Sequence, residues 1–332
     1  MERMTSRTIE EIRKNPDAVK LAEKVTSEYL SQSNSSLPSK VMYTGCGSSH
    51  FLSQLLAMAT TGAGGKGKAA PCSELFLERR YYPLDVELTV ITSRSGETTE
   101  ALKVAEMGAD LKIPTMAVTA YESSLSKKTS QALVVPAHEE SVVMTHSFTA
   151  FYLAFLELIK RSYMGEDIDF RSLYSAVKRA LREEGTVRRI IHGTEFNSVI
   201  YLGTGILYPV ALEASLKMKE MAILWSEAHP TFEFRHGFKA IAGKGTLVVI
   251  LTMKPIEWHE RLAKELHEQG ATVLGISHED FGTDLFLQAP EINEMETPAV
   301  YLPIIQLLAY YKAVSRGLNP DKPRFLSKVV RW

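Results

Sequence analysis

The sequence predicts an α/β protein made of two tandem, doubly wound parallel-sheet domains, and three observations carry that prediction. The chain repeats itself: Val41-Met-Tyr-Thr-Gly-Cys-Gly returns 158 residues later as Val199-Ile-Tyr-Leu-Gly-Thr-Gly. The following apolar runs repeat in the same order, Leu88-Thr-Val-Ile-Thr-Ser as Leu247-Val-Val-Ile-Leu-Thr and Met116-Ala-Val-Thr as Leu274-Gly-Ile-Ser. A period this long indicates a duplicated domain rather than a solenoid. Within each copy, short Val/Ile/Leu-rich runs alternate with helical patterns, which reads as βαβ units in a parallel sheet. The length of 332 residues accommodates two domains at about 100–200 residues each.

Taken in order, residues 1–35 read as a helical lead-in and 36–165 as the first domain. Its first strand begins at Val41, a second apolar run at Leu88, a helix covers 98–111, and a third run begins at Met116. Gly62-Ala-Gly-Gly-Lys-Gly67 matches GxGxxG literally, but it follows a helix and leads toward a strand, whereas a dinucleotide fingerprint runs from strand to loop to helix. It is therefore read as a connection. The last helix of the copy, from Thr145-His-Ser-Phe-Thr-Ala-Phe, corresponds to Thr297-Pro-Ala-Val-Tyr-Leu-Pro in the second copy. Residues 161–185 form a polar helical connector, 186–318 the second domain and 319–332 a tail.

Composition narrows the function classes. With 38 Lys+Arg against 39 Asp+Glu, the near-neutral chain offers no general electrostatic case for nucleic acid or an anionic membrane surface. No run approaches the roughly 18 uninterrupted apolar residues of a membrane span, and the charged start MERMTSRTIEEIRKNPDAVK holds no apolar export segment. Only Cys46 and Cys72 occur, in no metal-ligand spacing, which suits a reducing cytoplasm and argues against a disulfide framework or structural zinc.

Ligands of open parallel sheets bind where strands lead into helix N-termini. In the first copy the loops after strands one and two read Gly45-Cys-Gly-Ser-Ser-His50 and Ser93-Arg-Ser-Gly-Glu-Thr-Thr99. Ser48, Ser49, Ser93, Ser95 and Thr98 supply hydroxyls, Gly47 allows close backbone approach, and Arg94 adds a fixed positive charge. A monophosphate is the ligand this combination suits; the plainer alternative is that these are N-caps and turn residues. The second copy is an internal control, because its equivalents, Gly203-Thr-Gly-Ile-Leu-Tyr-Pro and Thr252-Met-Lys-Pro, lack the hydroxyl clusters. The fold therefore does not itself demand them.

In the second copy, Glu213, Lys217 and Glu220 share one helix face at i, i+4 and i+7 amid Leu212, Leu216, Met218, Met221 and Leu224. Such spacing suits either a solvated Glu–Lys pair or a partly buried carboxylate tuned for proton transfer. The next segment, Ser226-Glu-Ala-His-Pro-Thr-Phe-Glu-Phe-Arg-His-Gly237, is too rich in His, Glu and aromatics for a bland connector. His229 and His236 lack zinc spacing and a third ligand, so no metal is expected. His236 reads as either an acid–base group or an ordinary surface or core histidine.

Together these motifs resemble the tandem sugar isomerase (SIS) domain family, specifically the isomerase half of glucosamine-6-phosphate synthase and the SIS-type glucosamine-6-phosphate deaminases, over residues 44–328. The resemblance implies flavodoxin-like three-layer αβα domains. It places the sugar phosphate on the loops containing Gly47, Ser48, Ser49, Ser93, Arg94, Ser95 and Thr98. It makes Glu220 the base moving a proton between C1 and C2, with Glu213 and Lys217 in support, and His236, donated across a homodimer, the ring-opening group. Lys322-Pro-Arg-Phe-Leu-Ser-Lys-Val matches the family's closing motif, which puts Lys328 on the open-chain sugar, and Val142 takes the place of a backbone contact to it. No cofactor is implied. Two departures bear on substrate: Arg94 stands where the synthase typically has Gln, and Phe238 where it has Pro. The synthase begins with a glutaminase domain, whereas here 40 residues precede the first strand motif, so a hydrolytic, isomerising deamination of glucosamine 6-phosphate is the leading expectation. Other phosphosugar isomerisation, fructosamine-6-phosphate deglycation and a non-catalytic sugar-phosphate sensor are the alternatives.

Overall fold

Ten strands, all paired in parallel among the described residues, form two five-stranded sheets of identical topology. The computed structural model describes residues 6–32, 36–82 and 85–331; the ends of the expected lead-in, 1–5 and 33–35, and the final tail residue lie outside the described residues. The first sheet contains β1 (Lys40–Gly45), β2 (Lys66–Pro71), β3 (Leu88–Thr92), β4 (Thr115–Thr119) and β5 (Gln131–Val134), in the order β2-β1-β3-β4-β5. The second contains β6 (Ser198–Gly203), β7 (Trp225–Pro230), β8 (Thr246–Leu251), β9 (Thr272–Ser277) and β10 (Leu285–Gln288). It has the same order read as β7-β6-β8-β9-β10. The duplication read from the sequence is thus a duplication of a doubly wound α/β sheet.

The order reverses between β1 and β3, and between β6 and β8, which is where such folds bind ligands. Strand Lys66–Pro71 precedes Leu88–Thr92, so the second hydroxyl loop follows the third strand of the chain rather than the second. It still leaves the strand directly beside β1. The first half of the segment that is too rich in His, Glu and aromatics for a bland connector is edge strand β7, paired with β6.

Alternation along the central strands separates the two faces of the first sheet. Met42 and Ile91 pack with Ala101, Val104 and Ala105 of the helix Thr99–Asp110 and with Leu75. Tyr43, one residue on, points the other way, its ring edge-on to Phe155 of the helix His146–Tyr163 and its hydroxyl 2.6 Å from Thr60 of the helix Ser48–Gly62. Helices covering both faces explain why β3 and β4 are buried at every position, and why their sequences are continuous apolar runs. In the second sheet, Ile200, Leu202, Val248, Ile250 and Val273 pack against Leu262, Ala263 and Leu266 of the helix Glu257–Glu268. Gly62–Gly67 carries the chain from the helix Ser48–Gly62 into β2, as the sequence predicted.

The chain forms two compact units, neither contiguous in sequence. One, around the first sheet, comprises Pro16–Glu140, His146–Arg171 and Ser327–Trp332. The other, around the second, comprises the chain up to Asn15, Ser141–Thr145 and Ser172–Leu326. Among the described residues, no helix is long and apolar enough to cross a membrane.

Candidate functional site

In the first unit, the two hydroxyl loops are tied together where they leave the sheet. Gly45 closes β1, and a Cβ there would lie 2.5 Å from the Ser49 carbonyl, so only glycine lets the helix Ser48–Gly62 fold back against the strand end. Thr92, ending β3, places its hydroxyl 2.8 Å from the Ser49 carbonyl oxygen and 3.1 Å from that of Thr44. Gly47 precedes the helix at φ +55° and is exposed, while Ser48 and Ser49 are buried in the first turn.

The second loop is shaped by its own hydroxyls. The Gly96 N–H donates to Ser93 Oγ at 3.2 Å, Ser93 Oγ lies 3.4 Å from Thr98 Oγ1, and the Glu97 N–H donates to Ser95 Oγ at 3.2 Å. Gly96 sits at φ +65°, and a Cβ there would meet Ser123 Oγ at 2.0 Å. Neither the helix Ser48–Gly62 nor the helix Thr99–Asp110 takes a side-chain N-cap bond. These hydroxyls are therefore not spent as caps on the helices they precede, and both helix N-termini present a partial positive charge to the loops.

Arg94 is buried, and its Nη1 donates at 2.6 Å to Glu139, whose side chain has no exposure. The same carboxylate accepts the Ser147 N–H at 2.9 Å and Ser147 Oγ at 2.7 Å, with His146 Nδ1 3.3 Å away. Burial alone would raise the Glu139 pKa, but the Arg94 charge, His146 and the two Ser147 bonds outweigh it and hold the group down at about 2. The Glu139 backbone carbonyl also accepts the Lys328 ammonium. Two further contacts bring the tail to the second loop: the Thr99 N–H reaches the Val330 carbonyl at 3.5 Å, and Arg331 lies 3.7 Å from Glu97. Glu139 thus connects two sequence-predicted residues, Arg94 and Lys328, that are far apart in the chain.

In the second unit the helix Leu207–Ala222 carries Glu213, Lys217 and Glu220. Glu213 and Lys217 are fully buried and Glu220 has 19% of its side chain exposed. Lys217 Nζ lies 3.4 Å from Glu213 Oε1 and hydrogen-bonds Glu220, so one ammonium stands between two carboxylates. The solvated Glu–Lys pair that the spacing also allowed is not what forms. Desolvating each such ion costs several kcal/mol, and retaining three together is a feature of functional sites more than of ordinary cores.

His236 follows the short helical turn Glu233–Arg235 and is exposed, its ring without a hydrogen-bond partner among the described residues. His229 is different. Its Nε2 lies 3.0 Å from Glu227, and its ring packs on Phe234 and Phe238 at centroid distances of 5.3 and 4.6 Å. Val142, half-buried, also belongs to the second unit, next to Ser141, whose N–H lies 3.3 Å from both oxygens of the Glu11 carboxylate. The structure therefore gathers Gly47, Ser48, Ser49, Ser93, Arg94, Ser95, Thr98 and Lys328 in one unit, and Val142, Glu213, Lys217, Glu220 and His236 in the other. Among the described residues, no group of three His, Cys, Asp or Glu side chains is arranged to hold a metal ion.

Comparison with known proteins gives a consistent picture. The SIS domain family matches residues 194–283. The glutamine–fructose-6-phosphate aminotransferase (isomerizing) of Pyrobaculum aerophilum is 30% identical over 275 residues, covering 78% of this chain and 46% of that protein. The protein of the same name from Clostridium acetobutylicum is 31% identical over 264 residues, 73% of this chain and 43% of its own. The chain thus spans about half the length of the curated relatives it matches. Among solved structures, glucosamine-6-phosphate deaminase from Thermotoga maritima is 31% identical with a TM-score of 0.86, covering 98% of this chain and 99% of that one. The tagatose-6-phosphate ketose/aldose isomerase of Escherichia coli, 22% identical with a TM-score of 0.82 over 96% and 95% of the two chains, shares the fold.

Proposed function

The chain belongs to the SIS domain family of phosphosugar isomerases, and from that premise we propose that it is a glucosamine-6-phosphate deaminase, converting glucosamine 6-phosphate and water to fructose 6-phosphate and ammonia. The likeness to the Thermotoga maritima deaminase, which runs through nearly the whole of both chains, carries this reading. The chemistry needs a phosphate anchor, a group that opens the ring, and a base that moves one proton. Ser48, Ser49, Ser93, Ser95 and Thr98, with Gly47 and the two helix N-termini, serve as the anchor. Arg94, held by Glu139, contributes its charge.

His236 transfers the proton between the ring oxygen and the anomeric hydroxyl, giving the open-chain aldehyde. Glu220 then takes the C2 proton and returns it to C1, which leaves a C2 imine; water adds there and ammonia departs. Lys217 and Glu213 position the Glu220 carboxylate, and Lys328 holds the open chain. An enzyme-coupled ammonia assay over glucosamine 6-phosphate, its N-acetyl form and fructosamine 6-phosphate tests the assignment. Ammonia release specific to glucosamine 6-phosphate is expected. Release from fructosamine 6-phosphate alone identifies a deglycase, and tight binding of the sugar phosphates without turnover identifies a sensor.

The exposure of His236, with no hydrogen-bond partner among the described residues, supports its donation to the neighbouring site of a homodimer. Mixing inactive Glu220→Gln and His236→Ala chains under exchange conditions then regenerates one intact site in each mixed dimer, about a quarter of all sites at equal amounts. No recovery on mixing, with subunit exchange verified, rejects the donation.

A further inference from the structure

Strands β1 and β2 run in register with Gly45 opposite Pro71, so the residues that follow, Cys46 and Cys72, leave the sheet side by side. Neighbouring strands lie about 4.8 Å apart, inside the roughly 4.4–6.8 Å Cα separation that a disulfide bridges. Cys72 is fully buried at the start of the helix Cys72–Leu77, with Thr44 Oγ1 donating to its sulfur at 3.4 Å. Cys46 is partly exposed, and its carbonyl accepts the Ser49 N–H at 3.1 Å, so it is the first residue of the turn that presents Gly47, Ser48 and Ser49.

We propose that Cys46 and Cys72 form a peroxide-sensitive oxidation site whose disulfide weakens phosphate binding at the adjoining loop. Partial exposure makes Cys46 the residue that meets the oxidant, and the buried Cys72 resolves it. The neighbouring Cys72 side chain draws the Cys46 thiol below its ordinary pKa against the effect of burial, while Cys72 is pushed up by Cys46 and by burial. The Cys46 thiolate attacks one oxygen of hydrogen peroxide. An S–O bond forms, the O–O bond breaks, the leaving hydroxide takes a proton to become water, and sulfur is oxidised to sulfenic acid. Cys72 then attacks that sulfur, the S–O bond breaks, and the departing hydroxide combines with the Cys72 proton as a second water. One peroxide is reduced for each disulfide made.

The direction of the effect follows from the strand order. Strand β1 lies between β2 and β3, so drawing Cys46 toward Cys72 pulls the first turn toward β2 and away from the Ser93–Thr98 loop that follows β3. Two loops that hold one phosphate together are thereby parted. This consequence rests on the phosphate reading of those loops; the cysteine chemistry does not.

The experiment treats the full chain with stoichiometric hydrogen peroxide, alkylates remaining thiols, maps peptides by mass, and measures inorganic phosphate and glucosamine 6-phosphate binding by calorimetry before and after. A Cys46–Cys72 linked peptide, about 2 Da lighter than the two reduced peptides and reversed by dithiothreitol, is expected together with at least about a fivefold loss of phosphate affinity. Cys72→Ala is expected to give no link and to leave a sulfenic acid at Cys46 that dimedone traps. The wild-type map decides the matter even if that variant folds poorly. Two fully alkylated cysteines after peroxide, or a link that leaves phosphate affinity unchanged, overturns the proposal. A reduced protein that binds neither phosphate nor the sugar phosphate overturns the loop assignment instead, and the peptide map then judges the cysteines alone.

Discussion

Glu220→Gln is expected to lower kcat for glucosamine 6-phosphate by about 10²–10⁴-fold, the usual contribution of a positioned general base, while the dissociation constant of the sugar phosphate stays within a few-fold of wild type. The substitution preserves shape and leaves Lys217 its contact with Glu213, 3.4 Å away, so the helix keeps one ion pair in its buried face. What it removes is the only one of the three groups with appreciable solvent exposure, the one placed to reach a ligand. Calorimetric binding beside steady-state ammonia release separates the two effects. A kcat loss of less than about tenfold would reject Glu220 as the base. An equal loss of binding would move it from proton transfer to substrate anchoring.

Arg94→Met is expected to destabilise the protein by about 3–5 kcal/mol, because it takes the guanidinium, the largest favourable charge, away from the fully buried Glu139 carboxylate. Adding Glu139→Gln should restore a large part of that loss, since it removes the buried charge and keeps partners for Ser147. Urea unfolding of the two variants and wild type reads both quantities. The pair also sets a pH signature. The folded-state pKa of Glu139, near 2, is depressed below the ordinary 4.5, so its contribution is fully present above 4.5 and is lost as pH falls from there toward 2. That interval corresponds to about 3 kcal/mol of pH-dependent stability. The double variant should lack it, and an unchanged acid-unfolding profile in that variant would show that other carboxylates dominate.

How much of this was legible in the sequence depended on where each residue sits. Central strands such as Leu88–Thr92 and Thr246–Leu251 are buried at every position and stand out as apolar runs. Edge strands do not: Lys66–Pro71 reads Lys-Gly-Lys-Ala-Ala-Pro, with lysines at the half-solvated edge, and Trp225–Pro230 carries Glu and His. Neither stands out as an apolar run, because pairing on one side needs little hydrophobicity. The hydroxyl loops were legible because their chemistry is local. Glu139 was missed because its partner Arg94 is 45 residues away, and one glutamate in Ala137-His-Glu-Glu-Ser is indistinguishable from a surface residue. The Glu213–Lys217 spacing was visible, but the same i, i+4 pattern suits an exposed helix face, and only packing reveals that both are buried.

The non-contiguous units impose an order in time. Ribosomes deliver roughly 5–20 residues each second, and domains fold as they emerge. Lys328 follows its partner Glu139 by 189 positions, so roughly 10–40 s of synthesis separate the two. During that interval the first sheet can be assembled and its hydroxyl loops shaped while the tail lysine does not yet exist. A nascent chain paused within the second unit is therefore expected to recognise phosphate before it can act on a sugar.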